Sequence, residues 1–92
     1  MELLSERNIK VQIKKLSGWK ISGRKITKTY IKKDFSAALV FVVQIGIESE
    51  KLDHHPDLFL HSWNKVKVSL STHSEGGITM KDIELAKLVE EI

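Results

Sequence analysis

Residues 34–56 read DFSAALVFVVQIGIESEKLDHHP, and the reading of this stretch decides the fold. β-Branched residues abound in it, yet the apolar run outlasts a strand of about 3–10 residues. It therefore predicts a helix that begins near Asp34 as N-cap and runs to about Leu52. Phe35, Ala38, Leu39, Val42 and Ile45 recur at helical spacing and form the expected core-facing stripe. The opposite side carries Ala37, Val40, Phe41 and Ile47, with only Ser36 and Gln44 polar before Glu48. A helix apolar on both sides must be covered on both. Self-association through the helix at 34–52 is thus expected, with Val40, Phe41 and Ile47 at the contact. Asp53-His54-His55-Pro56 ends the run, because a proline ring disfavours helical backbone at the residue before it.

Upstream, Ser5 can cap a helix over about 5–16, with Ile9, Ile13 and Leu16 on one face and Gly18 past its end. WKIS and KITKTYIK then flank Gly23, a hairpin pattern. Downstream, Leu58 and Leu60 start a strand that Trp63-Asn64-Lys65 turns back. Val66, Val68 and Leu70 alternate with Lys67, Ser69 and Ser71, as in a half-buried strand. Gly76-Gly77 closes that segment. A last helix starts at Thr79, with Asp82 completing a capping box, and is expected to bury Leu85, Leu88, Val89 and Ile92. The order α-β-β-α-β-β-α predicts an α+β fold, a four-stranded antiparallel sheet with helices on one face.

Composition narrows the function. The 92 residues suit one domain over 1–92, and no apolar run is long enough for a membrane span. There is no cysteine, hence no disulfide or thiolate metal site, and MELLSERNIK lacks a secretion-signal pattern. A cytoplasmic setting is expected. Residues 1–33 carry ten Lys or Arg against two acids (+8), and residues 34–92 five against ten (−5). The lysines of the basic third are scattered through a helix and two strands without an aromatic platform among them. They read as a solvated face, and a nucleic-acid partner is not expected.

All four histidines, at 54, 55, 61 and 73, fall in one 20-residue window near element ends. Imidazole exchanges protons near neutral pH, so the cluster points to acid–base chemistry at a pocket rim. Adjacent His54 and His55 diverge if extended and are poorly placed to share one ion, so no metal is expected. Asp82 also has its plain role in the capping box, Glu50 that of a last-turn residue, and Trp63 that of core or hairpin packing. Pro56 fixes the loop in which the two histidines diverge.

Glu50, His54-His55-Pro56, Trp63, His73 and Asp82, with NKVKVSLSTH at 64–73, GGIT at 76–79 and DIELA at 82–86, resemble the pterin-4a-carbinolamine dehydratase family. That family is also known as the dimerisation cofactor of a homeodomain factor. Trp19 and Asp34-Phe35 extend the resemblance over nearly the whole chain. Tyr30-Ile31-Lys32 keeps only the first of two aromatics common there, and Ser74 followed by Glu75 stands where an acid often directly follows Thr-His.

The resemblance implies the same α+β fold and dehydration of a 4a-hydroxytetrahydropterin to the quinonoid dihydropterin, with no cofactor or metal. By it, His54 and His73 would act as general acids and His55 would chiefly hold the pterin. Pro56, Thr72, Ser74 and Glu75 would line the substrate, with Glu50, Trp63 and Asp82 in support. It implies a homo-oligomer too, dimer or tetramer, the latter through the central helix. The alternative it carries is a non-enzymatic module that stabilises a transcription-factor dimer.

Overall fold

The computed structural model describes residues 2–92. In chain order it has α1 (Glu6–Lys14), β1 (Lys20–Ser22), β2 (Lys25–Ile31), α2 (Phe35–Leu52), β3 (Asp57–His61), β4 (Lys65–Leu70), a 3-10 turn (His73–Glu75) and α3 (Met80–Glu91). This is the order expected from the sequence. The strands form one antiparallel sheet in the order β1-β2-β4-β3. Its two hairpins are local, and α2 carries the chain across so that β4 docks on β2, with Ile26 opposite Leu70 and Tyr30 opposite Val66. Gly23, at φ 61, begins the two-residue β1–β2 turn, the position where a type II′ turn favours glycine.

Alternation along β4 buries Val66, Val68 and Leu70 and leaves Lys67 in solvent. Those three side chains and Ile26 meet Ala38, Phe41 and Ile45 of α2 and Ile83, Leu85, Ala86 and Val89 of α3 in one core. The helix starts are capped as the sequence implies. Ser5 accepts from the Asn8 amide, Asp34 Oδ1 from the Ala37 amide at 2.8 Å, and Asp82 closes the Thr79 capping box.

Two expectations about burial are corrected. In α2 the buried face is Ala38, Phe41, Ile45 and Ser49, whereas Phe35 (48% exposed) and Leu39 (45%) look outward. Phe41, expected on the outer side, is 2% exposed and packs on Tyr30 with ring centroids 4.8 Å apart. The reason is physical: a helix apolar all round gives its hydrophobic pattern no phase. The sheet sets the phase instead, with Ala38 and Ser49 too small to obstruct close packing. Ser49 tolerates burial because its hydroxyl donates to the Ile45 carbonyl at 2.7 Å. In α3, Ile92 is 36% exposed because it lies past the last helical residue, and Leu88 is half-buried, while Ile83 and Ala86 complete the buried face.

Candidate active site

The end of α2 places the histidine pair. Asp53 adopts the left-handed conformation (φ 51), its amide donating to the Glu50 carbonyl and the His54 amide to the Ser49 carbonyl. That pair of bonds is the Schellman arrangement, usually built on glycine, with aspartate among the residues that visit this region locally. It turns the chain so sharply that His54 is carried inward, 8% exposed, while His55 stays in solvent.

His54 Nε2 lies 2.6 Å from Asp82 Oδ1, and the Asp82 carboxylate is fully buried. Asp82 Oδ2 accepts from the Thr79 amide (2.9 Å) and from the Thr72 hydroxyl (2.8 Å). With Thr72 donating to Asp82, the 2.7 Å contact between Thr72 and Thr79 makes Thr79 the donor there. Thr79 in turn accepts from the Lys81 amide at 3.3 Å. The other two partners of Asp82, the Thr79 amide and the Thr72 hydroxyl, are both donors, which suits a carboxylate, and a carboxylate in turn makes His54 Nε2 the donor of the 2.6 Å bond. Nδ1 is the nitrogen left for other work. The capping role and the histidine-supporting role of Asp82 therefore coexist, one per carboxylate oxygen.

His55 Nε2 pairs instead with Glu50 Oε1, both side chains exposed. The structure thus brings together His54 with Asp82, Thr72 and Thr79, and separately His55 with Glu50, on either side of one bend completed by Pro56.

His73 follows Thr72 directly and opens the 3-10 turn. Thr72 and Gly77 pair across the base of this loop, the Thr72 amide donating to the Gly77 carbonyl at 2.7 Å. Gly76 closes it at φ 73, its amide donating to the His73 carbonyl. Exposed His73 lines an open cleft with Ser22, Arg24, Lys25, Ser71 and Gly76. Ser74 is exposed and Glu75 half-buried on the same loop. Thr72 is buried, and its hydroxyl serves Asp82.

Two residues singled out from the sequence lie elsewhere. His61 stands on the sheet, stacked on Phe59 with centroids 4.8 Å apart and Nδ1 3.1 Å from Ser62 Oγ. Trp63 is neither core nor packed beneath the hairpin: it is 58% exposed, in the Ser62–Asn64 loop, with φ 55. That loop joins the ends of β3 and β4 remote from Asp57, the strand end that follows the histidine pair. Its two consecutive positive φ values, at Ser62 and Trp63, are supplied without the usual Asn-Gly, and they set the turn one residue earlier than the Trp63-Asn64-Lys65 expected from the sequence. Pattern reading also missed Thr79 as a hydroxyl in the Asp82 chain and Arg24 as a wall of the His73 cleft. The cap at Thr79 was the available signal for the first; nothing local marked the second. Among the described residues, no three His, Cys, Asp or Glu side chains are grouped as a metal ion would require.

Known proteins are similar to this chain along nearly its whole length. The model of the family described as pterin 4 alpha carbinolamine dehydratase matches residues 2–92. A protein of Thermosynechococcus vestitus provisionally named pterin-4-alpha-carbinolamine dehydratase is 44% identical over 91 residues, covering 99% of this chain and 95% of that protein. A protein of Sulfurisphaera tokodaii with the same provisional name is 39% identical, covering 100% and 98%. The crystal structure of a transcriptional coactivator/pterin dehydratase from Brucella melitensis superposes with a TM-score of 0.91 at 40% identity, over 98% of this chain and 97% of that one. With a family model and full-length relatives agreeing on one architecture, this chain belongs to the pterin 4 alpha carbinolamine dehydratase family.

Proposed function

We propose that the protein dehydrates a 4a-hydroxytetrahydropterin to the quinonoid dihydropterin by imidazole acid–base catalysis, as a step in recycling a tetrahydropterin cofactor in the cytoplasm. The reaction breaks the C4a–O bond, whose electron pair leaves with the hydroxyl, and a proton makes that group water. The N5–H proton departs, and its bonding pair forms the C4a=N5 double bond. One proton is given and one taken, so no redox partner is required.

The observation that carries the reading is the Asp82–His54 pair, set against the loop that bears His73. Asp82 fixes the tautomer and orientation of His54, the part a buried carboxylate plays for a catalytic imidazole. His54 and His73 are the proton donors to the hydroxyl, and His55, held by Glu50, positions the pterin. Pro56, Ser74 and Glu75 frame the substrate, while Thr72 acts through Asp82.

Stopped-flow absorbance of carbinolamine decay tests the proposal. The chain should accelerate the decay, and its rate should survive treatment with a chelator. A decay rate equal to the uncatalysed one would refute it. The rival reading, an interaction module without chemistry, draws on the Brucella melitensis neighbour being called a transcriptional coactivator as well as a pterin dehydratase, and predicts that null result.

We also propose a homo-oligomer built through α2. Its outer stripe of Val40, Val43 and Ile47 is exposed, at spacings of three and four residues that suit a helix–helix seam.

A further inference from the structure

The cleft beside His73, of about 300 Å³, is walled by two cations, Arg24 of the β1–β2 turn and Lys25 at the start of β2. Lys25 has a partner, Asp57, at 3.3 Å, in an exposed pair of the kind that contributes little and exchanges readily. The Arg24 guanidinium has no ion-pair or hydrogen-bond partner among the described residues. The backbone around it is nevertheless fixed. Ser71 Oγ donates to the Arg24 carbonyl at 2.8 Å, tying the turn to the strand exit that leads into Thr72 and His73. An arginine without a side-chain partner among the described residues, on a pinned turn facing an open cleft with the Ser22 hydroxyl nearby, is a seat for a planar or tetrahedral anion.

We infer that this cleft is a subsite for an anionic substituent, phosphate or carboxylate, at C6 of the pterin, with Arg24 the residue that selects for it. The inference rests on the dehydratase reading for its link to the substrate. In the pterin ring C6 is separated from C4a only by N5, so a short C6 substituent begins beside the reacting carbon. With His73 acting at the C4a hydroxyl, such a substituent is within a side chain's reach of the cleft that His73 shares with Arg24. A neutral substituent leaves the guanidinium to water, whereas an anion forms a charge-assisted pair with it.

The test compares three substrates: carbinolamines with a neutral dihydroxypropyl, a phosphomethyl or a carboxylate group at C6. The anionic forms should be preferred by about tenfold or more in kcat/KM, the range of one hydrogen bond to a charged group. Phosphate and carboxylate arms show which anion fits. Arg24→Ala should bring the anionic-to-neutral ratio near one, whereas Lys14→Ala, which removes the same unit of charge from the outer surface of α1, should keep the preference. Fluorescence titration with the corresponding stable 7,8-dihydropterins gives the comparison without turnover. Arg24-dependent binding of the anionic pterin by a chain with no dehydratase activity upholds the subsite and sinks the catalytic reading. Equal affinity for neutral and anionic pterins, or a preference that survives Arg24→Ala, overturns the subsite.

Discussion

At the scale of single residues, His54 and His73 differ in how they are held. His54 is buried and tied through Nε2 to Asp82, so its orientation is set before substrate arrives. His73 is exposed and, among the described residues, held through its backbone turn rather than by a side-chain bond. Removing either imidazole should lower kcat by about tenfold or more, the low end for general acid–base groups being about a hundredfold when no substitute exists. His55→Ala should instead raise KM more than it lowers kcat, the signature of lost uniform binding. Steady-state kinetics on the three variants decides the matter, and indistinguishable parameters for all three and the wild type would refute the roles. The His-His-Pro spacing and the Asp82 cap were legible in the sequence because both are local patterns. The bond between His54 and Asp82 was not, because it spans 28 positions and exists only once α3 docks beside the end of α2.

At the scale of elements, α2 shows the same limit. Its existence and ends followed from length, Asp34 and the Asp53–Pro56 stop, but its buried face did not, since Phe35, Leu39 and Phe41 are interchangeable to a hydrophobic pattern. A second junction was invisible for the same reason. Lys28 of β2 donates to the Ser17 carbonyl (2.6 Å) and to Glu90 of α3 (2.7 Å), and the Tyr30 hydroxyl also donates to Glu90. Burial, then the Glu90 hydrogen bond and charge, push the Tyr30 phenol far above its ordinary 10.0. Burial alone would raise the Glu90 carboxyl, but hydrogen bonds from Lys28 and Tyr30 and the Lys28 charge outweigh it and hold the group below its ordinary 4.5. A lowered acid stabilises the fold above its unfolded value, and that contribution is lost as pH falls through the folded one. A raised phenol contributes fully below 10.0 and loses its contribution as pH climbs beyond. Thermal melts should therefore show wild type above Glu90→Gln at neutral pH, with the gap closing below pH 4.5. Tyr30→Phe should blunt the loss of stability on the alkaline side. A gap independent of pH would show that Glu90 contributes packing alone.

At the scale of the whole molecule, the sheet has one core and α2 has two apolar faces. Ala38, Phe41 and Ile45 are spent on the sheet. Val40 (55% exposed), Val43 (59%) and Ile47 (53%) remain, with Phe35 and Leu39 beside them, on the largest helix of the fold. Such a contiguous apolar surface is what monomers avoid and what a symmetric copy of the same helix can cover. The two faces separate assembly from folding. Phe41→Glu would put a charge into the core against Tyr30 and should unfold the chain, since even truncation of a buried phenylalanine costs about 3–5 kcal/mol. Val43→Glu changes only the outer stripe, where the charge is solvated in the free subunit and buried in the assembly. It should split the oligomer while leaving the circular-dichroism spectrum intact and the Asp82–His54 pair in place. Sedimentation at micromolar concentration reads the result directly. A wild-type chain that sediments as a monomer, or a Val43→Glu chain that sediments as the wild type does, would remove α2 as the interface.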